Sequence, residues 1–174
     1  MLRADALVGR PVIAADTGEK LGEVADTLII AGSGAIAGFI VRGGWHAPER
    51  VLRRSDVMTL GRDALIAAPA AHLIDAAEWR DLGVGAERLA SFRNKPVVTR
   101  AGEKIGEVVT VLLDEKTPEI CGYDVTTPGF AGLVDRHTTL PHSSDVILGP
   151  DVIVVPERLP DPAASDAEVP PETA

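Results

Sequence analysis

The sequence predicts an all-β fold, organised as two tandem small β-barrels joined by a short helical linker. The first observation is a repeat, since residues 18–24 read GEKLGEV and residues 102–108 read GEKIGEV. The second is a series of short apolar stretches in each copy, separated by glycine and proline, which is typical of the strands of small barrels. The third is an alanine-rich segment between the copies, residues 69–83, without the β-branched runs of a strand.

The match between the copies extends well beyond the heptapeptide. At the same spacing of 84 positions, Leu28 falls on Leu112 and Gly38 on Gly122. After a few inserted residues, the Ser-Asp-Val of residues 55–57 matches that of residues 144–146. The chain therefore consists of two copies of one unit of about 70 residues, each close to the lower size limit for an independent core.

Each copy is predicted to contain five strands. They cover residues 12–14, 21–30, 35–41, 50–60 and 64–67 in the first copy, and 97–99, 105–113, 120–126, 138–148 and 152–155 in the second. A barrel suits so many short strands because closure leaves few exposed sheet edges. A helix is predicted between Pro69 and Gly83, and a second helical turn over residues 86–92.

These elements divide the chain into four parts. We expect the first barrel at residues 1–68, the helical linker at 69–87, the second barrel at 88–158 and a disordered acidic tail at 159–174. The tail has proline, alanine and acidic residues and almost nothing to bury. Because each core is small, we expect the two barrels to pack on each other as a pseudo-two-fold pair.

Composition excludes several classes of protein. The chain has 174 residues and a net charge of −9, and 45% of its residues are hydrophobic. An acidic surface is poorly suited to general nucleic-acid binding, and one cysteine, Cys121, allows no internal disulfide. The most apolar stretch, residues 27–41, is shorter than the roughly 20 residues of a membrane helix and is interrupted by glycine. We therefore expect no membrane span and a cytoplasmic location in a bacterium.

The repeated motifs resemble those of the PRC-barrel family. They are LVGRPV at residues 7–12, GEKLGEV at 18–24, IAGFIV at 36–41 and SDV at 55–57, with their counterparts in the second copy. The family is named for the cytoplasmic domain of the photosynthetic reaction-centre H subunit and includes the C-terminal domain of the ribosome-maturation factor RimM. The resemblance implies a small, bent barrel in each copy, a habit of binding other proteins, and no catalytic residues.

No motif in the chain indicates a catalytic or cofactor site. The glycines of the GEKLG sequence resemble a phosphate loop, but a strand pattern follows where a helix would be required, so a hairpin turn is the better interpretation. Ser55-Asp56 recurs as Ser144-Asp145, which favours a role at the end of a strand. Cys121 lies in an apolar strand and is interpreted as a small buried residue.

A metal site is a weaker hypothesis. Asp135, His137, His142 and Asp145 lie close together in the sequence and carry side chains that ligate divalent metals. Their spacing matches no ligand motif. On a strand, His137 and His142 would face opposite sides, so a solvated loop is the preferred interpretation.

Two features indicate partner binding. Trp45 and Phe130 occupy glycine-containing loops at matching places in the two copies, where an aromatic side chain either covers the barrel or contacts a partner. A basic group lies beside the first loop: Arg42, Arg50, Arg53 and Arg54. It is interpreted either as a solvated face with local ion pairs or as a contact for an acidic partner or RNA phosphates.

We therefore expect a non-enzymatic adaptor or assembly protein without a cofactor. Its partner is another protein or a second copy of the chain, which would form a homodimer. The alternatives are an RNA- or ribosome-associated maturation factor that uses the arginines, which the acidic charge disfavours, and a protein that binds a small ligand or metal through the second copy.

Overall fold

The chain folds into two curled β-sheets, one from each copy of the repeat. The computed structural model describes residues 1–30, 33–44, 46–114, 119–127, 136–143 and 145–156, with the backbone alone at residue 136. In this part of the chain strands dominate, and the single α-helix, α1, covers Ala76–Asp81. The predicted fold class, two tandem small barrels with a short helical linker, is confirmed.

The first sheet contains eight strands. In chain order they are β2 (Pro11–Ala14), β3 (Lys20–Ile30), β4 (Ile36–Arg42), β5 (Glu49–Arg53), β6 (Val57–Leu60), β7 (Leu65–Ala67), β8 (Leu73–Asp75) and β9 (Ala86–Arg88). The spatial order is β6-β7-β2-β3-β4-β5-β8, and β9 pairs separately with β3. The β2–β7 pairing is parallel and the others are antiparallel.

The second sheet repeats this arrangement with seven strands. They are β1 (Leu2–Arg3), β10 (Pro96–Thr99), β11 (Lys104–Leu113), β12 (Ile120–Thr127), β13 (Arg136–Pro141), β14 (Ile147–Leu148) and β15 (Ile153–Val155). The spatial order is β13-β12-β11-β10-β15-β14, and β1 pairs separately with β11. The β10–β15 pairing is parallel, as its counterpart is in the first sheet.

The two copies exchange short strands. β1 comes from the start of the first copy but pairs with β11 of the second, with Arg3 opposite Leu112. β9 precedes the second copy but pairs with β3 of the first, with Arg88 opposite Leu28. Each exchanged strand leads into a 3₁₀ helix, Ala4–Leu7 or Leu89–Phe92. The exchange is therefore reciprocal, as a pseudo-two-fold pair requires.

One hydrophobic core serves both copies. Its buried side chains include Phe39 and Leu52 of the first copy together with Tyr123 and Leu140 of the second. The 3₁₀ residues Leu7 and Phe92 are also fully enclosed in it. Because this cluster joins side chains of both sheets, much of the apolar burial that stabilises each sheet depends on the other.

The linker covers the outer face of the first sheet. A second, smaller cluster there contains Leu28, Ile40, Val51, Ile74 and Trp79. Ile74 lies opposite Val51 on the edge strand β8, and Trp79 belongs to α1.

Several predicted boundaries differ from the structure. The helix predicted over residues 69–83 is only Ala76–Asp81, because Leu73–Asp75 pairs with β5. In the second predicted turn, residues 86–88 form β9. The strand predicted at 50–60 is interrupted by a 3₁₀ turn at Arg54–Asp56, and that at 138–148 is two strands. The tail predicted to be disordered lies outside the described residues.

The repeated GEKLG and GEKIG sequences form hairpin turns, as predicted. Gly18 and Gly102 adopt positive φ angles of 70° and 86°. Beyond each turn, the register of the first two strands shifts at a bulge. There Gly106 lies so close to Thr126 that an added Cβ would clash with its carbonyl oxygen. The glycine of the motif therefore permits the close backbone approach at which the sheet bends.

Candidate functional site

The four arginines do not form a single patch. Arg42 lies opposite Glu49, and Arg50 lies opposite the buried Val41. Because side chains alternate along a strand, Arg42 and Arg53 lie on the outer face of the first sheet, whereas Arg50 lies on the core face at its rim. Arg54 belongs to the 3₁₀ turn after β5. The four arginines are close together in the sequence, but the alternation of side chains along the strands places them on different faces of the sheet.

Three of these arginines form ion pairs. Arg42 Nη2 lies 2.7 Å from Glu49 Oε1, Arg53 Nε lies 3.1 Å from Asp56 Oδ2, and Arg54 Nη2 lies 3.0 Å from Glu119 Oε1. Glu49 also accepts a hydrogen bond from Arg88 of the exchanged strand β9. The hydrogen bonds from Arg42 and Arg88 lower the pKa of the Glu49 carboxyl group. Each of these arginines is therefore paired with a carboxylate, and Glu49 is shared by Arg42 and Arg88.

A cleft of about 680 Å³ opens beside Arg42. Its wall contains Lys20, Val8 and the backbone of Gly22, Gly43 and Gly44. Lys20 Nζ lies 2.7 Å from Glu23 Oε1, and Val8 is an exposed apolar side chain. The cleft thus offers an apolar contact, paired charges and accessible backbone. The sequence does not single out Lys20 or Val8, because it does not show that the start of β3 lies beside the end of β4.

The two loop aromatics, Trp45 and Phe130, lie outside the described residues. Residues 43 and 44 line the cleft immediately before Trp45. The predicted binding role of both aromatic side chains stays a prediction.

The candidate metal ligands have separate partners. His142 Nδ1 lies 2.7 Å from the hydroxyl of the buried Tyr123. His137 Nδ1 lies 3.0 Å from Asp124 Oδ1, on the outer face of the second sheet. Tyr123 and Asp124 are neighbours on β12 and face opposite sides of the sheet, so the two histidines do as well.

Among the side chains that the structure describes, no group of three or more histidine, cysteine, aspartate and glutamate residues is placed to hold a metal ion. Asp145 is exposed, and Asp135 lies outside the described residues. Burial lowers the pKa of His142 and raises the pKa of Tyr123. Burial therefore favours the neutral form of each side chain, and the two are hydrogen-bonding partners.

The remaining candidates have local partners. Ser55 Oγ lies 3.2 Å from Asp56 Oδ1, and Asp56 also pairs with Arg53, consistent with a role at the strand end. Ser144 lies outside the described residues. Cys121 is half-buried, and burial raises the pKa of its thiol, so it is a poor nucleophile.

The fold and the site define a class of protein, a pair of small β-barrels with internal two-fold symmetry and a mixed, ion-paired surface cleft. The family model of the PRC-barrel domain matches residues 1–72 and 85–158. The chain therefore belongs to the PRC-barrel domain family, with two copies of the domain.

Other comparisons add little. No curated protein matches the sequence. Among solved structures, the chain is similar to a 16S ribosomal RNA processing protein, RimM, of Pseudomonas aeruginosa, with 17% identity over 78% of this chain and 96% of that one, at a TM-score of 0.29. No helix in the described ranges has the length and apolar character needed to span a membrane.

Proposed function

We propose that this chain is a non-enzymatic adaptor of the bacterial cytoplasm that binds a partner protein at the Arg42 cleft. The observation that carries the proposal is the cleft itself, where Arg42 and Lys20 are each held by a carboxylate beside the exposed Val8. Such a mixture of apolar contact, paired charge and free backbone is typical of protein interfaces.

The state of the arginines favours protein over RNA as the partner. An RNA phosphate would have to displace Glu49 from Arg42, Asp56 from Arg53 or Glu119 from Arg54. It would also approach a chain with a net charge of −9. Both effects oppose the release of counterions that drives binding to nucleic acids, whereas an interface with a protein can retain the ion pairs at its rim.

The experiment is affinity capture from the native lysate by the tagged full-length protein, with and without nuclease and high salt, followed by mass spectrometry. The matched variants are Arg42→Ala, in the cleft, and Arg53→Ala, on the same face but outside it. We expect one protein partner that survives nuclease. Arg42→Ala should weaken its binding to the purified adaptor about tenfold, or about 1.4 kcal/mol, and Arg53→Ala should leave it unchanged.

Three results would contradict the proposal. Ribosomal proteins that disappear with nuclease or salt would favour the alternative of an RNA- or ribosome-associated factor. Equal effects of the two variants would exclude the cleft as the binding site. A cofactor or metal retained in stoichiometric amount by the purified protein would favour a ligand-binding role.

A further inference from the structure

The linker strand β8 occupies the edge of β5 in the first sheet. Leu73 lies opposite Leu52, Ile74 opposite Val51 and Asp75 opposite Arg50. Leu73 packs against the common core, whereas Ile74 belongs to the outer cluster. In the first copy, the strand added at this edge therefore places one apolar side chain, Leu73, on the core face of the sheet and another, Ile74, on the outer face.

β13 is the counterpart of β5 in the second copy. Gly38 of β4 lies opposite Arg53, and the equivalent Gly122 of β12 lies opposite Pro141. By this register Leu140 corresponds to Leu52, and Thr139 to Val51. Within the described part of the chain β13 is the last strand of its sheet, and no strand lies on its outer edge.

The backbone of β13 is arranged to accept a strand. The amide of His142 donates to the carbonyl oxygen of Cys121 at 3.0 Å. Because hydrogen-bonded pairs alternate along an antiparallel ladder, Leu140 and Thr138 bond to β12, whereas the N–H and C=O groups of His137 and Thr139 point away from it. Pro141 also falls at an outward position, where proline removes no bond to β12.

Residues 157–174 do not repeat the sequence of β8. The segment after the first barrel contains Leu73, Ile74 and Trp79, whereas Leu159 and Val169 are the only large apolar residues after position 156. That sequence also contains four prolines, at positions 160, 162, 170 and 171, and proline cannot donate to a ladder.

We propose that the outer edge of β13 binds an extended segment of a partner protein, added antiparallel as β8 is added to β5. This inference rests on the proposed adaptor function and names the kind of partner it takes. The segment carries an apolar residue opposite Leu140, as Leu73 lies opposite Leu52. Opposite Thr139, the segment carries threonine or another polar residue. The reason is that Thr139 lies beside Asp124 on the outer face, whereas the equivalent Val51 of the first copy lies beside the apolar Ile40.

The charge of the chain favours a different protein over a second copy at this edge. Two copies would each bring a net charge of −9, and such like charges oppose association. The fitting segment is therefore neutral or basic. Main-chain hydrogen bonds supply the affinity in this mode of binding, and the alternating side chains supply the specificity.

The test is amide hydrogen exchange of the full-length protein with a synthetic peptide as the probe. The peptide has the sequence of residues 71–79 with two changes. Ile74→Thr places a threonine opposite Thr139 on the outer face of the sheet, and Asp75→Lys replaces an acidic residue with a basic one to suit the acidic chain. When about nine-tenths of the protein carries peptide, exchange at the His137 and Thr139 amides should slow about tenfold. The Leu140 amide, already bonded to β12, should not change, and a scrambled peptide should have no effect.

Two variants complete the test. Thr139→Pro removes the outward N–H and should abolish peptide binding, whereas Thr139→Val keeps the N–H and should bind as the natural protein does. If Thr139→Pro does not fold, a peptide N-methylated opposite Thr139 removes the bond from the other side. Slow exchange at Thr139 without peptide, or unchanged exchange at saturation, would overturn the inference. Partner capture through the Arg42 cleft would then still stand, since Arg42→Ala tests it separately.

Discussion

Arg3 and Asp124 join the start of the first copy to the second sheet, with Arg3 Nη1 2.6 Å from Asp124 Oδ2. The pseudo-equivalent Arg88 reaches back to Glu49 of the first sheet. The acid differs in position, on β12 in one copy and β5 in the other, but each exchanged strand ends in an arginine bound to a carboxylate of the other copy. The strand exchange is therefore held by side chains as well as by backbone pairing.

Breaking this pair is expected to destabilise the whole molecule. Arg3→Ala leaves the nearly buried Asp124 with His137 as its remaining ion-pair partner among the described side chains, and should lower the free energy of unfolding by about 1–2 kcal/mol. Asp124→Ala should cost a similar amount. A double-mutant cycle by urea denaturation should give a coupling of about 1 kcal/mol, and additive losses would contradict a direct interaction.

Arg3 also controls the titration of Asp5. Its hydrogen bond lowers the pKa of the Asp5 carboxyl group below the ordinary value of 3.8. Because the pKa of Asp5 is lower in the folded state, its carboxylate contributes to the free energy of unfolding at every pH above its unfolded-state pKa. That contribution is lost as the pH falls through the folded-state pKa. In Arg3→Ala the pKa of Asp5, followed by NMR, should rise. Stability should then fall less between pH 5 and pH 2 than in the natural protein.

Thr27 contains a buried hydroxyl group that has no hydrogen-bond partner among the described residues. The equivalent position in the second copy is Val111, also buried in the core. Thr27→Val keeps the shape and removes the unsatisfied group, so it should stabilise the protein by about 1 kcal/mol. The reverse change, Val111→Thr, is the matched control and should destabilise it. A loss of stability in Thr27→Val would show that the hydroxyl is satisfied.

The glycine of the repeated GEKIG motif is needed for close backbone approach. A Cβ at Gly106 would clash with the Thr126 carbonyl oxygen, a backbone atom that cannot move aside without shifting β12. Gly106→Ala should therefore cost at least about 3 kcal/mol. Gly85→Ala is the control, because no atom lies within 4 Å of its added Cβ. Thermal unfolding of both variants compares them, and equal melting temperatures would refute the packing argument.

Asp26 is a buried carboxylate whose ionisation opposes folding. Burial raises its pKa, although the Thr27 amide donates to its Oδ1 at 2.8 Å. Because the pKa of this group is higher in the folded state, its contribution to the free energy of unfolding is fully present below its unfolded-state pKa. That contribution is lost as the pH rises through the folded-state pKa. Asp26→Asn keeps the acceptor and removes the charge, so it should stabilise the protein at pH 7 by up to about 1 kcal/mol.

The pH dependence separates this effect from packing. The advantage of Asp26→Asn should disappear near pH 3, where the aspartate is also neutral. The exposed turn residue Asp16 gives the control variant Asp16→Asn. A gain that persisted at pH 3, or a loss at pH 7, would contradict the assignment.

The sequence predicted the repeated strands because the pattern of each copy confirmed that of the other. The sequence did not predict the exchanged strands, because a two-residue strand such as Leu2–Arg3 is too short to show an alternation of apolar and polar residues. It predicted helix over Leu73–Asp75, where alanine-rich composition favours helix but pairing with β5 decides the structure. The sequence places the four arginines close together, but their separation on two faces depends on the register of β4 and β5, which the sequence does not specify.

We expect strand exchange and one shared core to make the two copies a single folding unit. Urea denaturation of the full chain, followed at the amide NMR signals of Val24 and Val108, tests it most directly. These residues are equivalent positions in the two copies, and both are buried in the shared core. We expect one transition with the same midpoint at both signals. Two separated transitions, with one sheet remaining folded after the other has unfolded, would contradict it.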